Sequence, residues 1–163
     1  MKINKIILPT AVIFCAISIV VMIVALTTGN NMQDEFIPPA FDSAAVKGTP
    51  EVPDNLGWSP VEAADAFTAY LCGNVTAIGN TADIYFTSAD INTVWLKLRI
   101  LDADGETIGE TGLIKAGEYV KSVNLTKIPA DGAAIKSKIM AYEPETYYSA
   151  GSAALNTTLR IGG

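Results

Sequence analysis

The chain has 163 residues, with 17 acidic against 11 basic side chains, no histidine and a formal charge of −6. An acidic surplus argues against nucleic-acid binding, which needs lysine and arginine to displace counterions. The missing histidine removes the commonest general base and the commonest metal ligand, so no enzyme, no metal site and no cofactor is expected.

Half of the residues are hydrophobic, and a dense share of them lies at the N-terminus. Lys2 and Lys5 precede a run over 6–26 that carries no charge and is interrupted only by Pro9, Thr10 and Ser18. At about 1.5 Å per residue, such a run spans roughly the 30 Å hydrocarbon core, which predicts one transmembrane helix. It is longer than the apolar stretch of a cleaved signal peptide. Val12-Ile13-Phe14 before Cys15 lacks the small residues that precede a lipidated cysteine. Lysines lie before the helix and Asp34 and Glu35 after it. The positive-inside rule therefore keeps the N-terminus in the cytoplasm and places the rest of the chain outside the cell membrane.

Residues 30–60 hold five of the eight prolines, Pro38, Pro39, Pro50, Pro53 and Pro60. Proline restrains itself and its neighbour to extended conformations, so this stretch reads as a spacer. Phe36, Ile37, Phe41 and Trp58 are its apolar exceptions, able to dock locally or rest at the membrane interface. Ser59-Pro60-Val61-Glu62 has a capping serine, a first-turn proline and a glutamate three after the cap, which predicts a turn or short helix over 60–65.

Beyond it, alternation of apolar and polar residues predicts seven strands, over 66–72, 82–88, 93–101, 106–112, 119–126, 133–142 and 153–161. The clearest is 93–101, with Val94, Leu96, Leu98 and Ile100 on one side and Thr93, Trp95, Lys97 and Arg99 on the other. Asp104-Gly105 supplies the hairpin after it. In the later strands, Ile135, Ile139 and Ala141 are expected inward, as are Leu155, Thr157, Leu159 and Ile161. Strands of this length and spacing point to an all-β fold, an immunoglobulin-like antiparallel β-sandwich. The domains are then a stub and anchor over 1–29, a spacer over 30–60 and the sandwich over 61–163.

Two cysteines, Cys15 and Cys72, lie in different parts of this plan, so no internal disulfide is expected. Cys72 is either a small buried apolar residue or a reactive thiol, and the absence of a nearby basic residue or helix start favours the buried reading. Asp102, Asp104 and Glu106 alternate as in a calcium loop but lack the later ligands and the central glycine spacing, so a hairpin turn accounts for them.

In an immunoglobulin-like order the third, sixth and seventh predicted strands share a sheet. Their outward residues then converge: Trp95, Lys97 and Arg99; Lys136, Lys138, Met140 and Tyr142; and Arg160. This face is the candidate binding surface, because exposed aromatics interleaved with cations suit protein or anionic partners. The plainer reading is a solvated sheet face whose long side chains cover the strands. Trp95 itself is either exposed or turned inward by a bulge. The loop after 142 carries Tyr147 and Tyr148 among serine, glycine and threonine, an adaptable contact surface unless a tyrosine packs back on the sheet. If the lysines are exposed, reversing Lys97 and Lys136 to glutamate leaves folding nearly unchanged.

VWLKLRILDADGETIGETGLIKAGEYVKSVNL followed by KIMAYEPETYYSAGSAALNTTLRI resembles a family of small, single-anchor surface proteins of anaerobic Gram-positive bacteria. In that family a D-x-x-G hairpin, an E-T-G-L-I-x-x-G-E-Y segment and a Y-E-P-E-T-Y-Y-S-A-G loop recur, and the resemblance covers 67–161. It implies the sandwich fold; the family has no assigned enzymatic role or ligand, so the resemblance transfers no functional residue. The expectation is a membrane-anchored, non-catalytic surface protein whose sandwich makes protein contacts or self-associates, in adhesion or envelope assembly. The alternative is a binding module for an anionic wall polymer or glycan.

Overall fold

A computed structural model describes residues 36–63 and 66–162. The expected transmembrane helix, its orientation and Cys15 lie outside the described residues. Among those described, no helix is long and apolar enough to cross a membrane.

The described chain is all-β. Its strands are β1 (Val46–Lys47), β2 (Trp58–Ala63), β3 (Phe67–Cys72), β4 (Asn74–Ile78), β5 (Thr81–Ser88), β6 (Trp95–Leu101), β7 (Thr107–Glu110), β8 (Glu118–Asn124), β9 (Ala134–Tyr142) and β10 (Ser149–Ile161), with a 3₁₀ turn at Asp54–Leu56. Hydrogen bonding orders them β1-β8-β5-β4-β10-β9-β6-β7, with β3 paired to β5 and β2 to β3. The sheet curls into a sandwich-like shell. Its far end returns to the residues just beyond β8, where Thr126 N–H donates to the Ile108 carbonyl at 2.7 Å and Gly109 bridges Leu125. Gly109 permits that approach: a Cβ there would stand 3.0 Å from the Leu125 side chain and 3.1 Å from the Asn124 carbonyl.

The alternation that predicts β6 is the alternation that fills the core. Val94, Leu96, Leu98 and Ile100 are buried together with Leu71, Val75, Ile84, Phe86, Ile108, Ile114, Ile139 and Leu159. Burying a large aliphatic or aromatic side chain contributes about 1.5–3 kcal/mol, so this cluster is the main force holding the shell closed. Asp102 shapes the β6–β7 hairpin, accepting the Asp104 and Glu106 N–H groups at 3.0 Å each, while Gly105 takes the left-handed φ of 83°.

All seven predicted strands are present, but three more, β1, β2 and β4, accompany them. The turn or short helix expected over 60–65 is corrected: residues up to Ala63 are the edge strand β2, paired antiparallel to β3 with Pro60 opposite Tyr70. An edge strand tolerates a proline because one row of its backbone groups faces away from any partner. The purely antiparallel sheet is corrected too, since β4 runs parallel to β10, from Thr158 opposite Asn74 to Ile161 opposite Ala77. Ile161, expected inward, is 43% exposed because it lies past the end of β9, whose pairing with β10 stops at Thr158.

The stretch read as a spacer also contributes structure. Pro38–Gly163 forms one compact unit. Within it β1 pairs with β8, and the Trp58 indole stacks on Tyr70 at 4.6 Å and donates to the Tyr85 carbonyl at 3.0 Å.

Candidate functional site

The expected outward face exists. β6 pairs with β9 in unbroken register, Trp95 opposite Tyr142, Lys97 opposite Met140, Arg99 opposite Lys138 and Leu101 opposite Lys136. β10 continues the rows, with Ser152 beside Met140, Ala154 beside Lys138 and Asn156 beside Lys136. Strand alternation puts these residues on one surface, so the sequence phase of β6 holds and no bulge turns Trp95 inward.

Trp95 is nevertheless not open. The Phe41 ring meets it edge-on at 4.8 Å and 75°, and Tyr147 leans on it at 5.3 Å and 59°. Lys115 places its ammonium 4.8 Å from the Phe41 ring, a cation–π contact that extends the stack. Tyr147 thus packs back on the sheet, with a left-handed φ of 57°, whereas Tyr148 is 74% exposed. The loop that presents them is closed by Glu143 N–H donating to the Tyr148 carbonyl at 2.8 Å and Tyr147 N–H to the Glu143 carbonyl at 3.0 Å.

Glu110 changes the electrostatics of the face. Its carboxylate accepts from Lys97 Nζ at 3.0 Å and from both Nε and Nη2 of Arg99 at 3.2 Å. Burial pushes the Glu110 carboxyl up, but Lys97 and then Arg99 outweigh it and hold the group below the usual carboxylate range. Lys97 has little accessible side chain left, 13%. Five converging cations therefore become two paired ones and three without an ion pair among the described residues: Lys136, Lys138 and Arg160. Lys136 and Lys138 are exposed on β9. Arg160 faces the same way but stands past the last β9–β10 pair, beside the turn at Gly132. Tyr142 is half-buried, its hydroxyl 3.8 Å from the Met140 sulfur.

Sequence reasoning missed Phe41, Glu110 and Lys115 as parts of this site. The signal for Glu110 was the hairpin itself, but a register shift between Ile100 and Leu101 decides that Glu110, and not a neighbour, stands opposite Arg99.

At the other end of β6, Lys127 Nζ lies 2.6 Å from Asp102 and 3.7 Å from Glu106. The Lys127 hydrogen bond holds the Asp102 carboxyl below its ordinary range, helped by the Glu106 and Asp104 N–H groups and opposed by desolvation. Asp102 in turn raises the Lys127 ammonium. A lowered carboxylate contributes stability that is present above the unfolded pKa of about 3.9 and lost as pH falls through the lower folded value. A raised lysine contributes stability below about 10.4 that is lost as pH rises through the higher folded value. Lys127→Met should therefore lower the urea midpoint at about pH 7, and the gap to wild type should narrow as pH falls below about 3.9 and through the lowered folded pKa of Asp102. A gap independent of pH would show that packing of the lysine stem, not its charge, is responsible.

Cys72, a free buried thiol, has its pKa pushed up to about 11 by burial and then by Asp83, which leaves it as thiol at neutral pH.

No protein-family model and no curated protein matches the chain. Among solved structures it is similar to "The crystal structure of CopC from Methylosinus trichosporium OB3b", at 15% identity and a TM-score of 0.36, over 65% of this chain and 96% of that one. A likeness of that size carries no argument about what this chain does.

Proposed function

We propose that this chain is a membrane-anchored, non-catalytic surface protein whose β-domain makes protein–protein contacts outside the cell, in adhesion or envelope assembly. The anchor and its orientation rest on the uncharged run over 6–26 between Lys2 and Lys5 and the later Asp34 and Glu35. The fold is read as immunoglobulin-like: β7, β6, β9 and β10 supply one layer, β3, β5 and β8 the other, and β4 crosses to pair with β10.

The observation that favours protein contact is Glu110. By pairing with both Lys97 and Arg99 it reduces the middle of the face from two positive charges to one and makes it an ion-paired strip beside an aromatic cluster, a composition suited to packing against protein. The second reading, an anionic wall polymer or glycan as ligand, rests on the exposed Lys136 and Lys138. The two separate by salt. Photo-crosslinkers at Tyr148 and Lys138, in intact cells, should trap an envelope protein, and capture should survive washing at about 1 M salt, where the Debye length is about 3 Å. Capture of polymer, released by the same wash, would instead establish the second reading.

A further inference from the structure

Phe41 reaches Trp95 through a short strap laid across the domain. Asp42 N–H donates to the Leu113 carbonyl at 2.8 Å, and Leu113 N–H donates to the Ala40 carbonyl at 2.9 Å, so Phe41 forms a parallel bridge with Leu113. The Asp42 carboxylate accepts the Gly112 N–H at 2.8 Å. The seat is shaped for this segment: a Cβ on Gly112 would stand 2.5 Å from the Asp42 nitrogen and 2.8 Å from the Phe41 carbonyl carbon. On the near side of the seat, Ile114 exchanges both backbone hydrogen bonds with Leu96, at 2.9 and 2.8 Å, which ties it to β6 next to Trp95.

The strap is separately hinged. Downstream of it the chain turns at Ser43–Ala45, with Ala45 N–H reaching the Asp42 carbonyl at 3.3 Å. It is fixed again where β1 pairs with β8 and Gly48 N–H donates to the Gly117 carbonyl at 2.8 Å. Among the described residues, two backbone hydrogen bonds, one side-chain hydrogen bond, the Phe41–Trp95 ring contact and the Lys115 cation–π contact hold residues 40–42 to their seat. A segment held by so few contacts opens locally without unfolding the core.

We propose that Ala40-Phe41-Asp42 is an exchangeable strand: the strap of one copy occupies the Gly112–Leu113 and Trp95 seat of a second copy, and the reverse. The proposal rests on the protein-contact reading and names the partner as this same chain. Every contact of the closed strap can be remade between copies, so exchange loses no bonding, and a swapped element is a low-cost route to a dimer. Phe41 on Trp95 is the aromatic anchor, the backbone pair sets the register, and Asp42 on the Gly112 N–H selects a carboxylate at the next position. Pro38 and Pro39 keep the chain entering the strap extended, as a strand reaching for a neighbour needs.

The test uses the full chain in detergent micelles. Sedimentation should show a concentration-dependent dimer. Phe41→Ala spoils the strap and leaves the seat, and Gly112→Ala blocks the seat and leaves the strap; either variant alone has no sound strap–seat pair left to exchange, so its dimer should be lost. Mixing the two variants should restore a heterodimer, because one sound strap then meets one sound seat. A wild-type chain that stays monomeric, or a mixture no better than either variant alone, overturns the proposal. Benzoyl-phenylalanine at position 41 covers the case of a misfolded variant: irradiation should give covalent dimers through the seat, and purely intramolecular crosslinks would overturn it. A monomeric chain that still captures an envelope protein would sink the exchange while leaving the protein-contact reading standing.

Discussion

Asn92→Ala is expected to destabilise the domain by about 3 kcal/mol, measured by urea unfolding followed through Trp58 and Trp95 fluorescence. The Asn92 amide nitrogen donates to the Thr68 carbonyl at 2.7 Å and to Ser88 Oγ at 2.9 Å, and its oxygen accepts the Thr68 N–H at 2.9 Å. One side chain thus fastens β3, the end of β5 and the start of β6. Alanine leaves three polar groups without that partner, and Ser88 is wholly buried. Each unpaired buried group costs about 1–3 kcal/mol, less where water can enter beside the half-buried Thr68. Thr93→Ala, an exposed neighbour, should change stability by less than about 0.5 kcal/mol. A loss below about 1 kcal/mol for Asn92→Ala would mean that water replaces the amide.

Reversing the two lysines of the outer face should give unequal results. Lys97→Glu is expected to cost about 1 kcal/mol, since it removes a partner of Glu110 and sets a second carboxylate beside it, while Glu110 itself, 44% exposed, stays open to water. Lys136→Glu and Lys138→Glu should stay within about 0.5 kcal/mol, being exposed and unpaired. Alternation alone gave one expectation for both lysines, that reversing them leaves folding nearly unchanged; the contact with Glu110 sets Lys97 apart from Lys136. Equal and small effects would show that Glu110 turns to solvent once Lys97 is gone. Partner capture is best probed with the β9 variants, whose folding is undisturbed.

Alternation along 93–101 was enough to place Val94, Leu96, Leu98 and Ile100 in the core and Trp95, Lys97 and Arg99 outside it, because side-chain direction in a strand repeats every two residues whatever it packs against. Asp104-Gly105 was enough for the hairpin, because a tight turn needs its left-handed residue locally. Ser59-Pro60-Val61-Glu62 misled for the complementary reason. It satisfies a helix cap by itself, and only pairing with β3 makes it an edge strand. The parallel partner of β4 was equally hidden, since a five-residue strand shows nothing of its neighbour's direction.

Which outward residues are free was decided by tertiary contacts alone. Glu110 faces Arg99 through a register shift, and Asp42 meets Gly112 across a sequence separation of 70. Sequence by itself determined seven of the ten described strands and, Ile161 apart, the residues expected inward on them, through periodicity read within a few residues. The tertiary structure decided that Trp95 lies under Phe41 and that two of the five outward cations share the Glu110 carboxylate. Those contacts depend on where distant backbone segments come to rest when the sheet curls around its core, and no local period encodes that.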